Sequence, residues 1–314
     1  MFFKESSDFA NRNSQLFDFI HTSSAALWNL RWQVQGFVAV TPKATDRELS
    51  GRFTSGSGIS ANNLRGTCID TPWDDQLGQF AQIVSANLIA MYEGWAEELM
   101  LKFGNGSLGK WVQWPSKGSY GQTRNGVGEA LAAARATGVS ADMEKAFHPA
   151  YAGQRKYSLS HLDALLVLYR YHKEIRNSYM HRGGVANQDA VRAWQNASAL
   201  TRADIGGRSA PMVTQVVNGA MVGADIRESI QLSDVLLRIV CTIDAELCFT
   251  DLGERNFLAG WRGNESNRKF AALPGDPLRR EKRLARICRK AGYVSPSDTE
   301  AIRRIGYRAG LITP

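Results

Sequence analysis

Arg176, Asn177 and His181 fall within the stretch "EIRNSYMHRGG", residues 174–184. Their types suit one reaction, the cleavage of a phosphodiester. A guanidinium presents a fixed fork of donors to a phosphate that gains charge in the transition state. An imidazole titrates near neutrality and can give or take a proton. RNA brings its own nucleophile, the ribose 2′-hydroxyl, so neither a protein nucleophile nor a metal is needed. Spacing complicates this. Arg176 and His181 are five residues apart, which at roughly 100° per residue sets them about 140° apart around an ideal helix. Asn177 and His181, at i and i+4, share a face. Either His181, loosened by Gly183, swings back toward Arg176, or two copies of the helix pool their side chains. The plain structural alternative is a helix C-terminus carrying ordinary cations against its negative dipole end.

Other constellations carry less. "GNGSLGK", Gly104 to Lys110, has the glycine and lysine spacing of a phosphate-binding loop. Such a loop needs a strand before it, a helix after it and Ser or Thr next to the lysine. Here a helical pattern precedes it, Trp111 follows, and "WVQWP" starts no helix, so a flexible loop is the better reading. The five histidines, His21, His148, His161, His172 and His181, form no metal-ligand spacing. Cys68, Cys241, Cys248 and Cys288 form no C-x-x-C pair and read as buried thiols. Neither metal nor cofactor is expected.

The elements that must position Arg176 and His181 are helical. The segment 158–181 is an amphipathic helix with Leu162, Leu165, Leu166, Tyr169, Tyr171, Ile175 and Tyr179 as its apolar surface. Ser158 or Ser160 is expected to cap it, and Gly183 with Gly184 to end it. Residues 74–103 form an upstream helix with Leu77, Phe80, Ile83, Leu88, Met91, Trp95 and Leu99 in one stripe. Residues 225–249 form a third, through Leu232, Val235, Leu236, Ile239, Ile243 and Leu247. The first 35 residues read as helix, 36–75 as a long irregular loop, 104–127 and 251–277 as loop-rich, and 140–157 as ambiguous. "VGEALAAARATG" and "NQDAVRAWQNASALTRADI" read as shorter helices. No strand pair or repeat is visible. The fold class is all-α, or mainly α.

The net charge of +8 is unevenly placed. From Arg279 to Pro314 ten basic residues face three acids, so this tail holds seven of the eight charges. Such a surface suits a polyanion or is simply a solvated helical face; charge alone weighs them equally. Arg279, Arg283, Arg286 and Lys290 recur as one stripe opposite Leu284, Ile287 and Cys288, and a second short helix, with Ser297 and Glu300 as a capping box, carries Arg303 and Arg304. The two helices outline a helix-turn-helix. No run approaches the roughly 18 to 20 apolar residues that span a bilayer. The polar opening residues hold no signal core, so no membrane contact and a cytoplasmic location are expected.

"RNSYMH", Arg176 to His181, resembles the R-x4-H motif of the HEPN superfamily, including the polar residue that commonly follows the arginine. "LIAMYEGWAEELM" is similar to the first helix of HEPN proteins near abortive-infection and related defence systems. The resemblance covers roughly residues 75–250. It implies a HEPN-like helical bundle there; residues 1–74, read as an N-terminal helix plus irregular loop, and 251–314, read as a linker and basic two-helix tail, have no counterpart in it. It further implies a metal-independent endoribonuclease, a toxin or antiviral effector, whose homodimer forms one composite cleft. By position Arg176 would hold the scissile phosphate, His181 would act as general acid or base, and Asn177 would orient the histidine or hold a phosphate oxygen. Arg279, Arg283, Arg286, Lys290, Arg303 and Arg304 would clamp the RNA. An antitoxin or sensor would be a further partner. Glu93 and Glu174 would either tune His181 or pair with nearby cations. The rival reading is a non-enzymatic nucleic-acid-binding or regulatory protein that uses the bundle to dimerise and the tail to bind DNA or RNA.

Overall fold

The computed structural model describes residues 1–58, 63–104, 106–116, 125–264, 266–267 and 271–313. The chain is all-α. Its helices are α1 (Lys4–Val40), α2 (Asp46–Phe53), α3 (Trp73–Leu101), α4 (Leu108–Trp111), α5 (Val127–Arg135), α6 (Ala141–Ala152), α7 (Leu162–His181), α8 (Gln188–Ser198), α9 (Ile226–Leu247), α10 (Asp251–Gly263), α11 (Pro277–Lys290) and α12 (Thr299–Arg308). Among the described residues the only β features are two isolated bridges, Val139 with Thr250 and Val185 with Met221. No helix among them is long and apolar enough to cross a membrane.

α9 is the axis of the bundle. Its apolar period continues almost all round, and from Leu232 onward nearly every residue is buried. Such a helix has no solvent face and must be enclosed by others. α3 and α7 flank it, α1 lies over α3 and α9, and α6 closes one end. Four charged side chains on α9 each reach a different neighbour. Glu228 accepts from Tyr171 Oη at 3.0 Å and Thr214 Oγ1 at 2.5 Å. Arg238 Nε donates to Ser158 Oγ at 2.9 Å. Asp244 accepts from the backbone N–H of Phe2 and, at 2.9 Å, of Phe3. Glu246 meets His148 Nε2 at 2.9 Å and Tyr157 Oη at 2.7 Å, and pairs with Arg135.

Several expectations for the flanks are corrected. The segment 36–75 is not one irregular loop. α1 runs 37 residues to Val40, α2 follows behind a Thr45–Glu48 capping box, and a π-helical turn spans Gly66–Asp70. These pieces close a small second core of Val34, Ala44, Leu49, Leu64 and Cys68. Beside it Arg31, only 7% exposed, donates through one nitrogen to the carbonyls of Thr67 and Thr71 and to Gln76 Oε1, at 2.8 to 2.9 Å. Part of this stretch, 59–62, lies outside the described residues, as do 105 and 117–124 of the 104–127 segment. The ambiguous 140–157 segment is mostly α6, capped by Ser140, whose Oγ accepts from Met143 N at 3.3 Å. α10 occupies half of the segment read as loop, capped by Thr250.

α7 is not capped by Ser158 or Ser160. A 3-10 turn, Leu159–His161, leads into it without a side-chain cap, and Ser158 serves Arg238 instead. In the Gly104–Lys110 stretch Gly109 has a packing role: a Cβ there would lie 3.0 Å from Glu97 Cα, so the glycine lets the single turn of α4 close onto α3. At α12 the cap is Asp298, which accepts from Glu300 N at 2.8 Å and Ala301 N at 3.1 Å, not Ser297. All four cysteines are free and buried.

Candidate functional site

The last turns of α7 form one wall of a cavity of about 560 Å³. α3 contributes Ile83 and Asn87, the start of α9 contributes Glu228 and Ser229, and the segment before α9 contributes Met221. Two glycines shape its floor. Gly183 and Gly184 adopt φ of 60° and 86°, a left-handed pair that an L side chain rarely tolerates, and they turn the chain sharply after His181. The returning segment is then fastened. Ala186 N–H donates to Ala220 O, Gly219 N–H to Ala186 O and Val222 N–H to Gly184 O, each at 2.9 Å, while Tyr179 Oη donates to Val222 O at 2.6 Å. This places Met221 against Gly184, where any Cβ would meet its methyl at 2.6 Å.

Arg176 lines this cavity. One terminal nitrogen donates to Asn177 Oδ1 at 3.1 Å, and the other stands 3.7 Å from Glu93 Oε2. Its Nε–H is buried and has no hydrogen-bond partner among the described residues. Glu93 is shared with Lys173, and Glu174 pairs with Arg170. The two acids therefore act as ion-pair partners within α3 and α7, the second of the two roles open to them. Asn177 stays beside Arg176, half-buried. His181 is exposed, makes no hydrogen bond or ion pair among the described residues, and is not part of the cavity wall. Within one chain, then, Arg176 and Asn177 are brought together and His181 is not. The angular offset between positions five apart persists in the folded helix.

The cavity also holds a residue that sequence reading passed over. His172, 4% exposed, sits one turn before Arg176 and faces the same space. Its Nε2 is buried with no hydrogen-bond partner among the described residues. Two residues on adjacent turns thus line one cavity, and each keeps a buried nitrogen with no hydrogen-bond partner among the described residues, which costs stability. The i, i+4 relation of His172 to Arg176 is visible in the sequence and was the signal available. Burial pushes the His172 imidazole down to about 3, so it stays neutral at physiological pH. The unfolded chain, titrating near 6.5, takes up a proton that the folded chain refuses. Stability is complete above that value and falls with pH toward 3, by about 1.4 kcal/mol per unit. Denaturant midpoints at pH 7.5 and pH 5 should show wild type losing about 2 kcal/mol more than His172→Phe. Equal losses would show that this ring is not the group being titrated.

The basic tail is built into the bundle. Leu284, Ile287, Cys288, Ile302 and Ile305 are buried in the main core, and Ser297 N–H donates to Ala146 O of α6 at 2.7 Å. Several cations are spent internally. Arg304 Nε meets Asp142 Oδ1 at 2.7 Å, Arg308 pairs with the same carboxylate and with Glu254, and Arg303 pairs with Glu300 at 2.5 Å. Lys290 Nζ donates to Ser266 Oγ at 2.9 Å. Arg279 and Arg286 are exposed, and Arg283 is half-buried with contacts inside the chain. Burial raises Asp142, but the bonds from Arg308 and Arg304 outweigh it and hold the carboxyl below its usual range. A depressed carboxylate stabilises above its unfolded value and stops doing so as pH falls through the folded one, here below about 4. Asp142→Asn should raise hydrogen-exchange rates in α12 severalfold while leaving α7 unchanged; equal protection in both variants would mean that α12 is held by its apolar face alone.

Among the described residues no group of three His, Cys, Asp or Glu side chains converges as a metal site. Compared with known proteins, the chain matches no family model, no curated protein and no solved structure.

Proposed function

We propose that the chain is a metal-independent endoribonuclease of the HEPN type, acting as a cytoplasmic homodimer in a toxin or antiviral role. The observation that carries this reading is Arg176: a guanidinium lining an open cavity, with only a long, 3.7 Å ion pair among the described residues, on the last turns of the helix that ends in exposed His181. Ile83, Met180 and Met221, 54 to 69% exposed, make an apolar rim around that cavity, which suits a second copy. Pooling two copies supplies what one lacks. Arg176 binds the scissile phosphate with Asn177 steadying the fork. One His181 takes the proton of the 2′-hydroxyl as its oxygen attacks phosphorus. The partner copy's imidazole gives a proton to the 5′-oxygen as the P–O5′ bond breaks. The products are a 2′,3′-cyclic phosphate and a 5′-hydroxyl. The exposed cations of the tail, Arg279 and Arg286 among them, would draw the strand in. An antitoxin or sensor partner would keep such an activity off.

The test is RNA incubated with purified protein in excess chelator. Cleavage leaving cyclic-phosphate ends supports the reading. RNA cut only when a divalent metal is added back overturns it, and RNA that is bound but uncut overturns it and leaves a nucleic-acid-binding role.

A further inference from the structure

A second cavity, of about 600 Å³, lies at the other end of α7 and shares no lining residue with the first. Fifteen residues of helix at about 1.5 Å each put roughly 22 Å between them. Its walls are residues 155–158 and His161 leading into α7, Gly206 to Arg208 in the connection after α8, and Asp234 and Arg238 of α9. Four are permanent cations, Arg155, Lys156, Arg208 and Arg238, and the single carboxylate, Asp234, is taken by Lys156.

Arg238 is the anomaly. It is 8% exposed, its Nε donates to Ser158 Oγ at 2.9 Å, and no carboxylate among the described residues lies within ion-pair distance of it. Asp234, one turn away, supports its charge from beyond ion-pair distance, and burial works against that charge. A mostly buried cation without a direct ion-pair partner is costly, and an anion in the cavity would lower that cost. The glycine loop opposite is held in place. His161 Nδ1–H donates to Asp204 O at 3.0 Å, and Gly206, at φ 55°, lies so close that a Cβ would come within 2.6 Å of the ring. Arg208 is thereby presented, exposed, at the rim.

We propose that this cavity binds a terminal phosphate, a phosphomonoester or the end of a polyphosphate chain. Depth decides the class. A recessed guanidinium is reached by a protruding group with free oxygens, which its fork can grip in bidentate fashion. A diester inside a strand has sugar on both sides and would lie across the mouth. The volume falls in the roughly 300 to 1,000 Å³ range of small-molecule sites. The lining's net charge of three, after Asp234 is subtracted from the four cations, matches a di- or triphosphate rather than a carboxylate. Two sources present this chemistry, a free nucleotide and the 5′-phosphorylated end of a strand. The proposal is independent of the ribonuclease reading.

Calorimetric titration of the full chain with pyrophosphate, ATP, and a DNA tetranucleotide bearing either a 5′-phosphate or a 5′-hydroxyl tests it. Pyrophosphate and ATP should bind, and Arg238→Met should weaken both at least tenfold. Should Arg238→Met fail to fold, Arg155→Ala with Arg208→Ala replaces it, since both side chains are exposed, with a loss of severalfold or more. Binding by the 5′-phosphorylated strand but not by the nucleotides supports the site and identifies strand ends as its source. No binding at millimolar concentration, affinity untouched by both sets of substitutions, or equal binding of the 5′-hydroxyl strand overturns it.

Discussion

Arg176→Ala should abolish RNA cleavage while leaving the protein folded. Removing one preorganised donor to a developing oxyanion typically costs about 10² to 10³ in rate, and Arg176 supplies several such donors. Its structural contribution is small. Its ion pair with Glu93 is long, at 3.7 Å, and Lys173 remains to hold that carboxylate. Arg176→Lys keeps the charge but not the fork, so it should recover only part of the rate. His181→Ala should cost about 10² to 10⁴ if the ring moves protons in the reaction, with no change in melting temperature because the ring is exposed and makes no hydrogen bond or ion pair among the described residues. Mixing the two inactive variants offers a sharper measurement. In a shared cleft one chain retains arginine and the other histidine, so the mixture should recover part of the activity. A mixture as inactive as either parent would mean either that the cleft is not shared or that it needs both imidazoles, and single-turnover rates unchanged in Arg176→Ala would sink the catalytic assignment altogether.

Asp244→Ala should be among the most destabilising single substitutions in the chain. The carboxylate is 1% exposed and accepts from the backbone N–H groups of Phe2 and Phe3 and from the Ser6 hydroxyl. Burial pushes the carboxyl up, and those donors only partly offset that. Alanine would leave two backbone donors facing apolar surroundings, at about 1 to 3 kcal/mol each. It would also release Phe2 from the rings of Phe147, Tyr151 and Tyr293, whose centroids lie 4.9 to 5.8 Å away. A loss of roughly 3 to 5 kcal/mol follows, of the size seen when a buried partner is removed. Asp244→Asn retains one carbonyl oxygen and should cost less. Denaturant unfolding measures both, and a loss below about 1 kcal/mol for alanine would mean that the N-terminal turn is held by its aromatic rings alone.

The three helices around the site were legible because burial on one face or all round enforces a period. α3, α7 and α9 run within a few residues of the stretches marked by Leu77 to Leu99, Leu162 to Tyr179 and Leu232 to Leu247. α1 shows the limit. Beyond Ile20 it buries only Arg31 and Val34, one of them charged, so no stripe announces its second half. α2 and α10 were hidden by composition, among glycines and polar residues, although Thr45 with Glu48 three residues on, and Phe257 with Trp261 at i, i+4, were the usable marks. At the site, residue types pointed to Arg176, Asn177 and His181, but not to which of them share a space. That depended on Met221 and Glu228, distant in sequence and brought in by the fastened return after Gly184. His172 escaped because a lone histidine in an apolar run looks like core until the cavity beside it is seen.

The four polar tethers of α9 bear on how the chain finds a single arrangement. Leucine and isoleucine ridges alone would accept a helix displaced by one turn, about 5.4 Å, with little penalty. Glu228, Arg238, Asp244 and Glu246 each have one address, on α7, ahead of α7, at the start of α1 and around α6. A mis-set α9 would strand all four charges in oil at once. Slipped packings are thereby removed from the competition, and unfolding should be a single sharp transition with no compact, loosely packed state on the way.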